Sequence, residues 1–270
     1  MTNDPPFPAE RRAFGVALHP GTLEDYLEVA RRAIGRRERR TVLYHNLHSL
    51  YLWHRSAELR RDYEGATALV DGMPLIGLLR AAGHPARREE RVTWVDLVMP
   101  LLALARDSGW RVFHLGQTAE VQDRALARIR AELPGIEIAG RDGYFDQAPG
   151  SAESREVLDA IAAHGTDLLL VGFGTPRQEA WLAAHRDRID APAAFACGAC
   201  MEYVAGAVAT PPRWLGPLGL EWTWRLLENP ARFGFRYLVE PVALAAMIAR
   251  RALGGTLARR RAPAPRPPSP

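Results

Sequence analysis

The 270-residue sequence predicts an α/β protein, a mainly parallel sheet with helices on both faces, followed by a helical C-terminal appendage. Three observations carry that expectation. Short apolar runs alternate with amphipathic stretches from residue 41 to residue 197, the rhythm of strand–helix–strand units joined by right-handed crossovers. The run Leu168-Leu-Leu-Val171 has no polar member, as a strand buried on both faces should. After Pro211-Pro212 the alternation stops, no further strand is evident, and three of the seven tryptophans follow. The pattern is Rossmann-like. It divides the chain into an α/β core over residues 9–210, a basic, aromatic helical appendage over 211–257, and a disordered arginine- and proline-rich tail over 258–270.

Each element has a local reason. Residues 14–18 read as a short first strand and 22–34 as an amphipathic helix. Residues 41–45 form the next strand, and Asn46-Leu-His-Ser opens a helix reaching about Leu59. The strand at 66–70 ends in Asp71-Gly72, with Pro74 suited to the start of a helix. Thr93-Trp-Val-Asp96 has capping-box spacing before a helix through Ala105 that Pro100 should kink. Residues 111–115 are a strand, Gly116-Gln-Thr118 a turn, and Val121, Ala125, Ile129 and Leu133 share one helix face. A strand at 136–139 precedes the loop Asp142-Gly-Tyr-Phe-Asp146, and 154–164 is helical. After the strand at 168–171, Gly172 and Gly174 let the backbone turn sharply and approach a ligand. Thr175 can cap the next helix, with Pro176 at its first position and Gln178 three residues after the cap; that helix reaches about Ile189. The strand at 193–196 closes the series.

Composition excludes some function classes. A hydrophobic content of 47% and 24% charged residues suit a globular protein rather than a disordered one. All 35 basic residues are arginine, and the net charge is a modest +4. The N-terminus lacks the pattern of a signal peptide. The longest apolar stretch, residues 238–249, contains Glu240 and Pro241 and falls short of the ~20 residues of a membrane span. A cytoplasmic location is the expectation. Cys197 and Cys200 form a Cys-x-x-Cys pair without the further ligands a zinc site needs, so a structural role is the simpler expectation.

In an open parallel sheet, ligands collect beyond the carboxyl ends of the strands. Asn46, Asp71, Gly116, Gly174 and Gly198 all lie just past predicted strands and should converge on one crevice. The glycine turn and capped helix after residue 171 make an anion-binding corner that fits a nucleotide diphosphate. Plain architecture explains the same corner. Asp71 is the carboxylate best placed to meet a substrate hydroxyl, though an exposed Asp-Gly turn is the simpler alternative.

Several motifs occur together and in order: Asp71-Gly72, Arg91-Val-Thr93 with Asp96, Asp142-Gly-Tyr-Phe145, Val171-Gly-Phe-Gly-Thr-Pro-Arg-Gln-Glu179, and Gly219-Leu-Glu-Trp222 through Arg225-Leu-Leu. Together they resemble the signature of the WecG/TagA/CpsF family of bacterial glycosyltransferases, over roughly residues 40–238. The resemblance implies transfer of a sugar, commonly N-acetylmannosamine, from a UDP donor to a saccharide on undecaprenyl diphosphate, with inversion. It implies that Asp71 is the base that takes the acceptor proton. It also implies that Asn46 and Gln178 hold the sugars and that Arg91 binds a phosphate. Backbone amides around Gly116, Gly172 and Gly174 would contact the nucleotide. Two departures, Tyr44 in place of threonine and Trp94 in place of glycine, fall near the expected acceptor side.

No Asp-x-Asp motif follows a predicted strand, so no metal or other cofactor is expected. Arg213, Arg225 and Arg232 are candidates for neutralising the leaving diphosphate. Residues 213–261 hold nine arginines and three glutamates, a sum of +6 that leaves −2 for the rest of the chain. Together with its aromatics, that charge suits docking on an anionic membrane surface, placing the protein at the inner face of the cell membrane. A homo-oligomer is compatible with the sequence; a nucleic-acid partner is not expected. The alternative is a non-catalytic membrane-surface or nucleotide-binding protein. A dinucleotide oxidoreductase fits poorly, because no Gly-x-Gly-x-x-Gly occurs with an acidic residue about twenty positions on.

Overall fold

The computed structural model describes residues 7–212 and 214–261. The chain opens with a hairpin, β1 (Arg11–Ala13) and β2 (Val16–Leu18), paired antiparallel. The single strand expected at 14–18 is thus two. Phe14 and Gly15 take positive φ (54° and 85°) and reverse the chain between them. Next come α1 (Leu23–Gly35), β3 (Arg40–His45), α2 (Leu47–Arg55), α3 (Ala57–Asp62), β4 (Thr67–Val70) and α4 (Met73–Ala81). The middle of the chain supplies α5 (Trp94–Asp107), β5 (Val112–Gly116), α6 (Ala119–Glu132), β6 (Ile138–Arg141), α7 (Ala152–Ala163), β7 (Leu168–Gly172), α8 (Arg177–Ala184) and β8 (Ala193–Ala196). Helices alone follow: α9 (Cys200–Val204), α10 (Leu215–Leu218), α11 (Glu221–Glu228), α12 (Pro230–Gly234), a π-type turn at Phe235–Val239, and α13 (Glu240–Arg261). The tail beyond residue 261 lies outside the described residues.

Six strands form one parallel sheet in the order β4-β3-β8-β7-β5-β6. Leu168, Leu169, Leu170 and Val171 of β7 are fully buried, as their unbroken apolar run requires. The helices make two groups: α2, α3 and α8 pack in one series, and α1, α5, α9 and α6 in another. Such a sheet with flanking helices is the expected α/β, Rossmann-like arrangement.

Capping explains several helix starts. Thr22 and Asp25 form a capping box on α1, and Thr118 and Ser151 accept from Val121 and Ser154 amides at the starts of α6 and α7. The helix expected from Asn46 to Leu59 breaks at Ser56, which is extended (ψ 127°) and caps α3 with its own hydroxyl. The box expected at Thr93 is also different: its hydroxyl donates to Asp96 Oδ2 (2.7 Å) and makes no cap bond to α5. Thr175 likewise caps nothing. Its hydroxyl donates to Glu179 Oε1 (2.9 Å), and α8 starts at Arg177 and ends at Ala184, short of Ile189.

The C-terminal helices are not detached from the core. Helix α13 packs along α2, and Leu244 is buried in a second apolar cluster with Leu50, Tyr51, Leu75, Ile76 and Leu79. No residue of α11 or α12 is buried. Among the described residues, no helix is long and apolar enough to cross a membrane.

Candidate functional site

Two cavities meet beyond the carboxyl ends of β3, β4, β7 and β8. The larger, about 640 Å³, is lined from the sheet by Tyr44, Asn46, Asp71, Phe173, Gly174 and Gly198, and from the C-terminal helices by Arg225, Arg232 and Arg236. The smaller, about 330 Å³, is more apolar, with Leu47, Met73, Pro74, Trp222, Tyr237 and Pro241 in its wall. Asn46, His48, Asp71, Arg225 and Arg236 line both, so Asp71 stands at their junction.

Local structure puts Asp71 there. Its backbone amide continues the ladder of β4 by donating to His45 O (2.8 Å). Gly72 at φ 99° then turns the chain into α4 directly behind the carboxylate. Asn46 is the N-cap of α2: its Oδ1 accepts from the Ser49 amide (3.0 Å), while its Nδ2 donates to Asp71 Oδ2 (3.2 Å). One carboxamide therefore starts a helix, aims the aspartate, and keeps a second N–H for a ligand. Burial lifts the Asp71 carboxyl above the ordinary aspartate range, against Arg225, the Asn46 bond, Arg91 and Arg236, which pull it down.

The glycine turns are stitched by two glutamines. Gln178 is fully buried; its Oε1 accepts from the Gly174 amide (3.2 Å) and the Gly198 amide (3.1 Å). Gln117, at φ 65°, donates from Nε2 to the Gly172 and Gly198 carbonyls (3.2 and 3.0 Å). Gln178 is thus a scaffold of the crevice and is not among the residues that line the two cavities. Gly116 and Gly172 are also absent from the walls. They lie back to back, where a Cβ on Gly116 would come within 2.7 Å of the Gly172 carbonyl oxygen. Their small size serves strand packing, and of the three expected glycines only Gly174 reaches the cavity.

Arg91 differs from expectation as well. It lines neither cavity and is held by Asp96 Oδ2 and Glu221 Oε2, each at 3.0 Å, which pins the start of α11 to the α5 end of the core. Arg213 lies outside the described residues. Arg225 is half-buried beneath the junction, its guanidinium 5.5 Å from the Tyr203 ring. Arg225 Nε and Arg236 Nε are buried donors with no partner among the described residues. Arg232 is exposed at the rim of the larger cavity.

Nothing in the sequence marks Gln117, His48 or Glu179 individually. His48 Nδ1 pairs with Glu240 Oε2 at 2.7 Å, tying α2 to the first turn of α13 beside the junction. Burial and the neighbouring Arg236 hold His48 below the usual histidine range despite Glu240. Both departures, Tyr44 and Trp94, line the larger cavity. Cys197 and Cys200 are buried and free. Among the described residues, no group of three or more His, Cys, Asp or Glu side chains is placed to hold a metal ion.

Comparison with known proteins places the chain among related sequences. The model of the glycosyl transferase WecG/TagA/CpsF family matches residues 11–257. An N-acetylglucosaminyldiphosphoundecaprenol N-acetyl-beta-D-mannosaminyltransferase of Bacillus spizizenii (strain ATCC 23059 / NRRL B-14472 / W23) is 34% identical over 166 residues, 61% of this chain and 62% of the relative. A protein of the same name from Staphylococcus aureus (strain MW2) is 30% identical over 144 residues, 53% of this chain and 55% of the relative. The chain thus spans less than two thirds of the length of these curated relatives.

Proposed function

The chain belongs to the glycosyl transferase WecG/TagA/CpsF family, and from that premise we propose that it moves N-acetylmannosamine, or a related hexose, from a UDP donor to a polyprenyl-diphosphate-linked saccharide with inversion. The observation that carries this reading is the placement of Asp71: a carboxylate at the junction of two cavities, oriented by Asn46 and flanked by Arg225 and Arg236. The larger cavity suits the donor. Its wall includes the turns at Gly174 and Gly198 and three arginines, the donors and charges that a diphosphate needs. The smaller, more apolar cavity suits the acceptor saccharide, which stacks its apolar faces on rings such as Trp222 and Tyr237. Asp71 takes the proton from the acceptor hydroxyl as that oxygen attacks the anomeric carbon from the side opposite the leaving diphosphate. A carboxyl lifted by burial is the stronger proton acceptor.

Arg225 and Arg236 have Nε donors free to meet the charge that develops on the departing UDP, and Arg232 closes the rim. In this proposal the arginines take the place of a divalent ion. With Tyr44 and Trp94 in the donor cavity, the departures bear on the choice of donor sugar. The outward apolar residues of the C-terminal helices, with their basic charge, serve docking on the membrane that holds the acceptor.

The test is Asp71→Asn with a panel of UDP-sugars and a short-chain acceptor. Turnover should fall by roughly two to four orders of magnitude, with folding and UDP affinity kept. Near-normal turnover in the folded variant removes Asp71 from the role, and failure of the wild type to bind UDP removes the donor.

A further inference from the structure

Beneath the two turns of the larger cavity lies a carboxyl group that the proposed chemistry leaves unused. Glu179 on α8 is fully buried. Its Oε1 accepts from Thr175 Oγ1 and from Gln178 Nε2, both at 2.9 Å. Gln178 Oε1 in turn accepts the Gly174 and Gly198 amides. Glu179 Oε2 has no partner among the described residues. A single acid is therefore one side chain removed from both turns.

Tyr44 of β3 and Tyr63, just after α3, feel the charge of Glu179, and Asp62 at the end of α3 adds a like charge. Tyr63 donates to the Tyr44 carbonyl (2.9 Å), and the Tyr44 hydroxyl lies against Gly198, where an added Cβ would meet it at 2.7 Å. Cys197, which follows β8, is a thiol that burial keeps protonated. No ion pair reaches Glu179 among the described residues.

We propose that Glu179 is a positioning residue that works as the neutral acid: through Gln178 it holds the Gly174 and Gly198 amides in the turn geometry of the larger cavity, and its ionisation loosens both turns. An ionised carboxylate would leave Oε2 as a buried charge without a donor, whereas the neutral acid buries only a polar group. Burial pushes this carboxyl up to about 7, against the bonds from Gln178, its own amide and Thr175. For a raised acid, the neutral state is complete below the ordinary glutamate range and is lost as pH rises through about 7. The turns are then tight in mildly acidic solution and loose in mildly alkaline solution. That this also sets nucleotide affinity rests on the donor assignment above; the effect on the turns does not.

The experiment is amide hydrogen exchange by NMR on the full chain, wild type and Glu179→Gln, between about pH 6 and 8.5, with β5 amides as internal reference. Protection of the Gly174 and Gly198 amides in the wild type should fall by up to about tenfold per pH unit above the midpoint. In Glu179→Gln it should stay flat, because the carboxamide keeps an oxygen for Thr175 and Gln178 and does not titrate. Thr175→Val provides a second variant with the carboxyl intact; losing a donor to the charged form should move the midpoint to higher pH. Wild-type protection independent of pH, the same pH dependence in Glu179→Gln, or an unmoved midpoint in Thr175→Val would overturn the proposal. UDP titration of the same samples should follow the protection. If the amides behave as expected and UDP does not bind, the donor assignment falls and the role of Glu179 stands.

Discussion

The sheet and the C-terminal helices use apolar residues in opposite ways. In β7 and β8 every residue is buried, and the run from Leu168 to Val171 is spent wholly on the core. In the C-terminal helices Trp214 is 65% exposed, Leu227 80%, Leu238 59% and Val242 69%, while Arg225 and Arg236 turn inward to the cavities. One region hides its oil and ends in polar turns; the other shows its oil and hides charge. The second region is anchored at its ends, by the packing of α13 along α2 around Leu244, the His48–Glu240 pair and the Arg91–Glu221 bridge, and leaves the apolar side chains between them exposed. In the proposed reading, the exposed surface meets lipid and the inward arginines meet the transferred group.

The largest expected effect that sharpens this comparison is on chemistry. Arg225→Ala should lower kcat by about 10²- to 10³-fold, the range for removing one donor to developing charge. Thermal unfolding should be little changed, since no residue of α11 is buried. A loss of activity only in step with a loss of folded protein would break the comparison.

Stability should show the reverse pattern. Leu170→Ala, at a fully buried site in β7, should cost about 2–5 kcal/mol in denaturant unfolding. Leu227→Ala should stay within about 0.5 kcal/mol. Equal costs would mean that α11 belongs to the core after all.

The smallest expected effect is none. Activity in stripped buffer should survive EDTA, because arginine side chains are assigned the leaving charge. Loss with EDTA and recovery with magnesium or manganese would transfer that role to a metal.

Much of the core was legible because its signal is local. The unbroken run Leu168–Val171 allows little but a buried strand, and strand ends then locate Asn46 and Asp71 without any contact being known. What the sequence leaves open is decided by tertiary partners. Nothing in Arg91-Val-Thr93 shows that Glu221, 130 positions on, occupies one side of the guanidinium. Gln178 has capping-box spacing, yet its oxygen goes to Gly198 on the next strand's turn. Gln117 offered no motif at all, and His48 acquires meaning only through Glu240. The glycines at 116 and 172 carry the same local pattern as Gly174, and only the sheet register shows that they face each other.

The central claim is a division of labour within the C-terminal helices: inward arginines for transfer, outward apolar residues for the membrane. The measurement that tests it most directly compares Arg225→Ala with the double variant Leu227→Ser/Leu238→Ser, on a water-soluble short-chain acceptor and on a long-chain acceptor in anionic vesicles. The arginine variant should lose transfer to both acceptors while still binding vesicles. The double variant should keep near-normal transfer to the soluble acceptor and lose vesicle binding together with transfer to the vesicle-held acceptor. Equal losses of both variants on both acceptors would contradict the division and make this region a single structural unit.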